Sequence, residues 1–478
     1  MICCSMGRGR RFVERLPLTT SAATSDEEEG LDSNMEDTRG SCTLIVLWWL
    51  LGVGSLWAWN AFITPTDYYS LVFTDFSFLP LLTTSFTMVG LVATLALQPL
   101  QTPLRTRIIA AFVMVAVAFA FTSAFVSSTS TRSDQYSHAS VLIVLAATAS
   151  VSQGFLTASL ASYATAFKAK HMAALTTGQA AAGVAVSSFN VVRKLPEVHV
   201  ACGAPLVVEA AAAHRSSLRA SATAASRYFG ASSAMMVVCL CAFLCLEQLP
   251  LTKVYQRDAQ RAASKSPAGG TVGGLLRLAG GPLLGWGVAL MLLFSGTLVL
   301  YPTITSSIPS AAPPSLCRWR MLFVPLGFVV FNVGDTLGRS FVGCLPRTAR
   351  STLLLVLSRL LFAPLLLALH AARNVGSTLH AGTVPMEPGA SPSLLEEETS
   401  ITSGIFALVG ADVAPIVTLL LLAITNGWLT TAIFVHAPAM AAPEDRPAAG
   451  ALLTLWLNVG LVAGSLGSAV VAQLAGVS

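Results

Sequence analysis

The stretch FNVGDTLGRS, Phe331 to Ser340, places a carboxylate and a guanidinium inside a run from Met321 to Leu345 that is otherwise largely apolar. A helix needs about 20 residues, rising ~1.5 Å each, to cross the hydrocarbon core of a bilayer, and this run is long enough. Asp335 and Arg339 are four residues apart, so a helix sets them on one face about one turn from each other. An ionisable group at the bilayer centre costs about 2.5–3.5 kcal/mol on insertion scales, so such groups face a polar interior and mark a solute path by default. Asn332, three residues before Asp335, extends the same stripe. The expectation is a helix whose polar stripe faces a water-filled cleft. The competing reading is a neutralised pair that only braces this helix against its neighbours.

The rest of the chain supports a membrane setting. Over 478 residues, 54% are hydrophobic and 11% charged, a balance that does not fit a water-soluble surface. The fold class expected is an all-α polytopic membrane protein. The formal net charge of +5 is small and spread over loops, which suits loops meeting anionic membrane lipid better than nucleic-acid binding. Nine cysteines show no metal-ligand rhythm, so no metal site and no cofactor are expected. Cys239, Cys241 and Cys245 fall within an apolar segment as small packing residues. Cys3, Cys4 and Cys42 are candidates for acylation, against the plainer reading of free thiols.

Eleven apolar segments are expected to cross the membrane: Thr43 to Ile63, Phe78 to Gln98, Ile108 to Val126, Ala139 to Phe167, Met172 to Val192, Tyr228 to Leu249, Pro282 to Ile304, Met321 to Leu345, Leu353 to Leu369, Val413 to Val435 and Ala448 to Leu474. The ninth is short for a span. Well inside them the only charges are Asp335, Arg339 and Arg359. Ahead of the first, residues 1–42 carry SDEEEGLDSNMED and little apolar content, and are expected to be a disordered cytoplasmic tail. No cleavable signal is expected, so the first segment also directs insertion.

Lys and Arg in the short loops set the orientation. Arg105 and Arg107 follow the second segment, Lys168 and Lys170 the fourth, and Arg347 and Arg350 the eighth. Lys253, Arg257, Arg261, Lys265 and Arg277 follow the sixth, whereas residues 65–77 hold no base. The amino terminus is then cytoplasmic and the carboxyl terminus outside, at an expected plasma-membrane location. The basic, Gly-containing stretch 253–279 divides residues 43–252, with six segments, from residues 280–478, with five. One outward loop breaks the pattern, because Arg193, Lys194, Arg215, Arg219 and Arg227 follow the fifth segment. Either a long loop crosses despite its charge, or its Ala-rich VVEAAAAHRSSLRASATAAS forms an extra interfacial helix. Cys202 and Cys317 both fall in outward loops, which leaves a disulfide between them open. The Pro-rich GTVPMEPGASPSLLEEE after the ninth segment is expected to be a flexible outer loop.

Polar residues inside the segments fall into two groups. Trp59 and Gln153 are candidates for contact with solute, Gln153 because an amide both donates and accepts as a neutral heterocycle requires. Asn60 reads as a helix-to-helix tie or a solute contact, whereas Gln179, Arg359 and Asn426 read as structural polar positions, with Arg359 bonded to a neighbouring carbonyl or to Asp335. Gly178 and Gly183 have the small-residue spacing of close helix packing.

These motifs together resemble the equilibrative nucleoside transporter family, in register from the first segment to the eleventh. The carrying stretches are GVGSLWAWNAFIT (Gly52 to Thr64), SQGFL (Ser152 to Leu156), TGQAAAG (Thr177 to Gly183), FNVGDTLGRS, SRLLFAPLLL (Ser358 to Leu367), TNGWL (Thr425 to Leu429) and AAGALLTLWLNVGLVAGS (Ala448 to Ser465). The resemblance implies eleven helices in six-plus-five bundles akin to the major facilitator fold, moving nucleosides or nucleobases by alternating access. It also implies that Trp59, Gln153, Asn332, Asp335 and Arg339 line the solute cavity, with Leu56, Ile63, Phe328 and Leu461 as apolar positions near it. Two departures stand out: Ala58 replaces the family's usual proline before the tryptophan, and the basic Ala-rich loop is atypical.

The leading expectation is therefore a facilitative carrier for a nucleoside or nucleobase. Coupling to protons, with Asp335 or an outer carboxylate as the titrating group, is the close alternative. An enzyme is not expected, since no paired nucleophile and base or His-Glu helix motif occurs in any segment. A non-transporting receptor would not need polar groups spread over the first, fourth and eighth segments.

Overall fold

The structure is a computed structural model, and it describes residues 25–76, 78–97, 102–128, 135–202, 210–263, 272–341, 345–381 and 394–474. Its elements in chain order are α1 (Ser25–Ile63), α2 (Thr66–Val72), α3 (Phe78–Leu97), α4 (Leu104–Ser128), α5 (Gln135–Ala164), α6 (Ala169–Ala201), α7 (Ala210–Gln248) and α8 (Pro250–Ala263). They continue as α9 (Val272–Gly280), α10 (Leu284–Leu300), α11 (Thr303–Ser306), α12 (Cys317–Ser340), α13 (Ala349–Ser358), α14 (Phe362–Ala381), α15 (Leu394–His436) and α16 (Arg446–Leu474). No strand occurs among the described residues, so the expected all-α class holds.

Ten of these segments are long and apolar enough to cross a membrane, which makes the chain an integral membrane protein. The fifth expected segment is not among the ten, yet it lies in α6, a helix of 33 residues. Its sequence is rich in Ala, Gly, Ser and Thr because it packs against α1 on one side and α12 and α15 on the other rather than against lipid. Hydropathy therefore understates it.

Several expected boundaries shift for identifiable reasons. α1 begins at Ser25, inside the stretch expected to be disordered. Residues 1–24 lie outside the described residues, and Cys3 and Cys4 with them. The basic stretch after the fifth segment is not a separate interfacial helix. Its Ala-rich part runs straight into the sixth segment as α7, 39 residues long, as its high helix propensity favours. The outer loop after the ninth segment is likewise helical from Leu394 onward as the start of α15, while residues 382–393 lie outside the described residues.

The eighth segment is displaced. α12 begins at Cys317 and stops at Ser340, so Asp335 and Arg339 occupy its last two turns rather than the middle of a span. The seventh is broken between α10 and α11 at Pro302, which lacks the N–H that continues a helix. The ninth is not short: residues 349–372 are membrane-spanning in length, divided by a tight turn at Arg359–Leu361. Pro364 explains that turn, since its ring crowds the carbonyl four residues back. Within the linker expected at residues 253–279, α8 and α9 are helical.

Helices α1 to α7 form one bundle and α10 to α16 the other. Two seams join them: α6 packs against α12 and α15, and α16 packs against α3 and α5. Cys202, just past α6, forms a disulfide with Cys317, the first residue of α12, with a Cα–Cα separation of 5.9 Å. The option left open by the sequence is thus realised. At the other end of α6, Tyr255 of α8 packs its ring on Phe167 and His171, and Gln256 hydrogen-bonds the Tyr163 hydroxyl. The disulfide and α8 mark opposite ends of the molecule.

Candidate functional site

The site is a chain of polar side chains that runs from one bundle into the other. Its centre is Asp335 on α12. One carboxylate oxygen accepts from Arg339 Nε at 2.9 Å, the i,i+4 contact expected from their spacing. The other accepts from Asn426 Nδ2 of α15 at 2.8 Å. Arg339 then reaches into the first bundle, where its guanidinium donates to the Thr176 carbonyl at 3.0 Å and to Gln179 Oε1 at 3.4 Å, both on α6. Gln179 Nε2 donates in turn to Ser55 Oγ of α1 at 3.2 Å.

The chain extends the other way through Asn426. Its Oδ1 accepts from Thr297 Oγ1 of α10 at 2.9 Å, and that hydroxyl accepts from Arg359 at 3.1 Å. Arg359 also donates to the Leu422 carbonyl at 2.9 Å and to Thr425 Oγ1 at 3.1 Å. It has no direct contact with Asp335 among these bonds. Asp335, Arg339 and Arg359 are all buried, where a missing partner would be costly, because a buried charge without compensation loses solvation that nothing replaces.

One expectation is corrected here. Asp335 and Arg339 are 5% and 3% exposed, so the pair does not face a watery cleft in this conformation. The physical reason is the position of the pair near the end of α12, where α6 and α15 close over it and supply donors and acceptors to both partners. The pair joins the bundles.

The remaining candidate residues occupy a different level. Leu56, Trp59, Ile63, Gln153, Phe328, Asn332 and Leu461 are all only partly buried, unlike the charged pair. Gln153 Oε1 accepts from the Trp59 backbone N–H at 2.8 Å, tying α5 to α1. The Trp59 ring stands edge-on to Phe86, with centroids 5.5 Å apart. Asn332 donates to the Phe328 carbonyl of its own helix at 2.9 Å. Its side chain lies against Gly183 of α6, where any Cβ would collide with its amide oxygen. Gly178 serves the α1–α6 contact in the same way, since a Cβ there would run into the Trp49 carbonyl. Asn60 is bonded to the Leu56 carbonyl of its own helix at 3.0 Å, not to a neighbour.

A separate small crevice of about 30 Å³ lies in the second bundle, walled by Tyr301, Phe323, Phe328, Leu366 and Leu419 among others. Phe328 is the one candidate residue on its wall, and Tyr301 stacks on Phe331 beside it with centroids 3.7 Å apart. Among the described residues no group of three His, Cys, Asp or Glu side chains could hold a metal.

The sequence reading missed Ser55, Thr297 and Thr425, although their hydroxyls supply three links in the polar chain. Hydroxyls are common in apolar helices and usually bond their own backbone, as Ser55 does to the Gly52 carbonyl, so residue type alone carried no signal.

Comparison with known proteins agrees with the motifs. A family model described as nucleoside transporter matches residues 395–473. Equilibrative nucleoside transporter 2 of Homo sapiens is 30% identical over 182 residues, 37% of this chain, and the chain spans 33% of the length of that relative. Equilibrative nucleotide transporter 8 of Arabidopsis thaliana is 22% identical over 428 residues, covering 88% of this chain and 93% of the relative. Among solved structures, a major facilitator superfamily proton:xylose symporter aligns with 90% of this chain and 88% of its own at a TM-score of 0.49 and 12% identity. The family-model match, the long alignment and the motifs of α1, α5, α6, α12 and α16 in register all make the chain similar to the equilibrative nucleoside transporters.

Proposed function

We propose that the protein is a facilitative carrier that moves nucleosides or nucleobases across its membrane by alternating access. The observation that carries this reading is the polar chain through Arg339, Asp335 and Asn426. It joins the two bundles at one end by directional bonds that can break and re-form as the bundles rock, which a static brace does not need. The half-exposed set of Leu56, Trp59, Ile63, Gln153, Phe328, Asn332 and Leu461 is the solute wall in this reading. Rings such as Trp59 and Phe328 take the face of a base, and Gln153 and Asn332 its edge. Asp335 and Arg339 act as the closing tie at one end of the path, and engage solute only when that end opens.

The disulfide supports an orientation, because such bonds persist in oxidising compartments. The Cys202–Cys317 end then faces outside, the α8 end faces the cytoplasm, and the plasma membrane is the matching location. Lys253 and Arg257 of α8 and Arg277 of α9 are exposed at the cytoplasmic end, suited to anionic lipid headgroups.

Uptake of labelled adenosine, uridine and hypoxanthine into proteoliposomes tests the proposal. Saturable uptake of at least one is expected, with Gln153→Ala raising KM and Asp335→Ala lowering the maximal rate. Protein that binds nucleoside but never moves it would replace the carrier with a receptor.

A further inference from the structure

The two seams between the bundles are not built alike. At the outer end of the α6–α12 seam the disulfide Cys202–Cys317 joins the bundles covalently, and beside it Arg318 lies 3.2 Å from His199 Nδ1. Midway, Asn332 rests against Gly183 with no room for a Cβ. At the inner end Arg339 holds the Thr176 carbonyl. The loop before α12 is itself pinned, since Asp412 of α15 accepts from Ser310 Oγ, the Ala311 N–H and Trp319 Nε1 at 2.6, 2.9 and 2.8 Å. The outer end of α12 is therefore anchored to its own bundle while it is bonded to the other.

The seam between α16 and α3 has no covalent joint. Asn458 Nδ2 donates to Thr94 Oγ1 at 2.8 Å, and nearer the outer face Thr87 and Ser465 approach hydroxyl to hydroxyl at 3.5 Å. A contact at that distance is at the limit of a hydrogen bond and separates at little cost. By contrast, moving the α6 and α12 ends more than a few ångströms apart requires breaking a bond.

We propose that the Cys202–Cys317 bridge turns the α6–α12 seam into a hinge, so that the outer mouth opens one-sidedly along α3 and α16 and the bridge sets an upper limit on the size of solute that enters. This rests on the carrier reading and its orientation. The bridge is a specificity-determining element of the fold and touches no solute. Reduction by dithiothreitol supplies two electrons and two protons to give two thiols, the reagent leaving as its cyclic disulfide, and the limit is lifted.

The test uses the full-length protein in proteoliposomes, oxidised, reduced, and as C202S/C317S. Competition by plain adenosine and by adenosine bearing a bulky N6-aromatic substituent is measured from the outer side. Adenosine affinity is expected to stay within twofold, while affinity for the bulky analogue rises at least fivefold on reduction and in the double variant. Parallel changes in both ligands, or no change in either, overturn the proposal, as does mass spectrometry showing both cysteines free in the untreated protein. A second arm needs no solute. Spin labels carried by non-natural amino acids at the exposed positions Leu81 and Leu466, and separately at Leu195 and Leu316, report the two seams by distance distributions. The oxidised protein should give a broad Leu81–Leu466 distribution and a narrow Leu195–Leu316 one that broadens on reduction. Equal widths before reduction sink the hinge even if the protein carries no nucleoside, and failure of adenosine to compete with a normal asymmetry in distances sinks the carrier reading instead.

Discussion

Asp335 and Arg339 are not interchangeable ends of a dipole, because each has further partners of fixed polarity. Asp335 receives a proton donor from Asn426, whereas Arg339 needs the Thr176 carbonyl and Gln179 Oε1 as acceptors. Exchanging the two residues would set a guanidinium against the Asn426 amide N–H and a carboxylate against the Thr176 carbonyl. The exchanged variant is therefore expected to unfold at lower temperature in detergent and to lose uptake, where a simple brace would survive. Asp335→Ala strands Arg339 as an unpaired buried charge and should cost about 3–5 kcal/mol, with D335A/R339A less damaging than D335A, as read from Tm and from the midpoint of denaturation. Thr297→Val removes the hydroxyl shared by Asn426 and Arg359 and should cost about 1–3 kcal/mol by the same measurements.

At the level of elements, α6 is the helix on which the two halves meet. Its faces touch α1, α12 and α15, and its small residues permit those approaches. Gly178→Val forces α1 and α6 apart and should destabilise the protein by about 1–3 kcal/mol or more, seen as a lower Tm and a poorer yield of monodisperse protein. The length and apolarity of the segments sufficed to place most crossings. Gly178 and Gly183 were identifiable as packing positions from spacing alone. Where α12 ends was not legible, because its apolar run continues past Ser340 and nothing in composition marks the exit. The extension of α7 through a basic stretch was missed because charge was weighed above the helix propensity of its alanines.

For the whole molecule, the bonds that matter join residues far apart in the chain. Arg339 and Gln179 are 160 positions apart, and Cys202 and Cys317 are 115 apart. If the carrier is facilitative, uptake into proteoliposomes should be the same with and without a protonophore, and a collapse of uptake on its addition would instead require Asp335 or another carboxylate to carry protons.

The sequence by itself determined that the chain lives in a bilayer, that most of its helices cross it, and that Asp335, Arg339 and Arg359 must turn from lipid toward water or polar partners, because hydrocarbon offers a charge neither. Only the tertiary structure decided who compensates them and where. Residue type says that Arg339 needs acceptors, but the choice of a backbone carbonyl on α6, and of Asn426 for its partner, follows from how closely two bundles approach near one end of α12. That approach is set by small residues scattered over several helices, and no one stretch of sequence contains it.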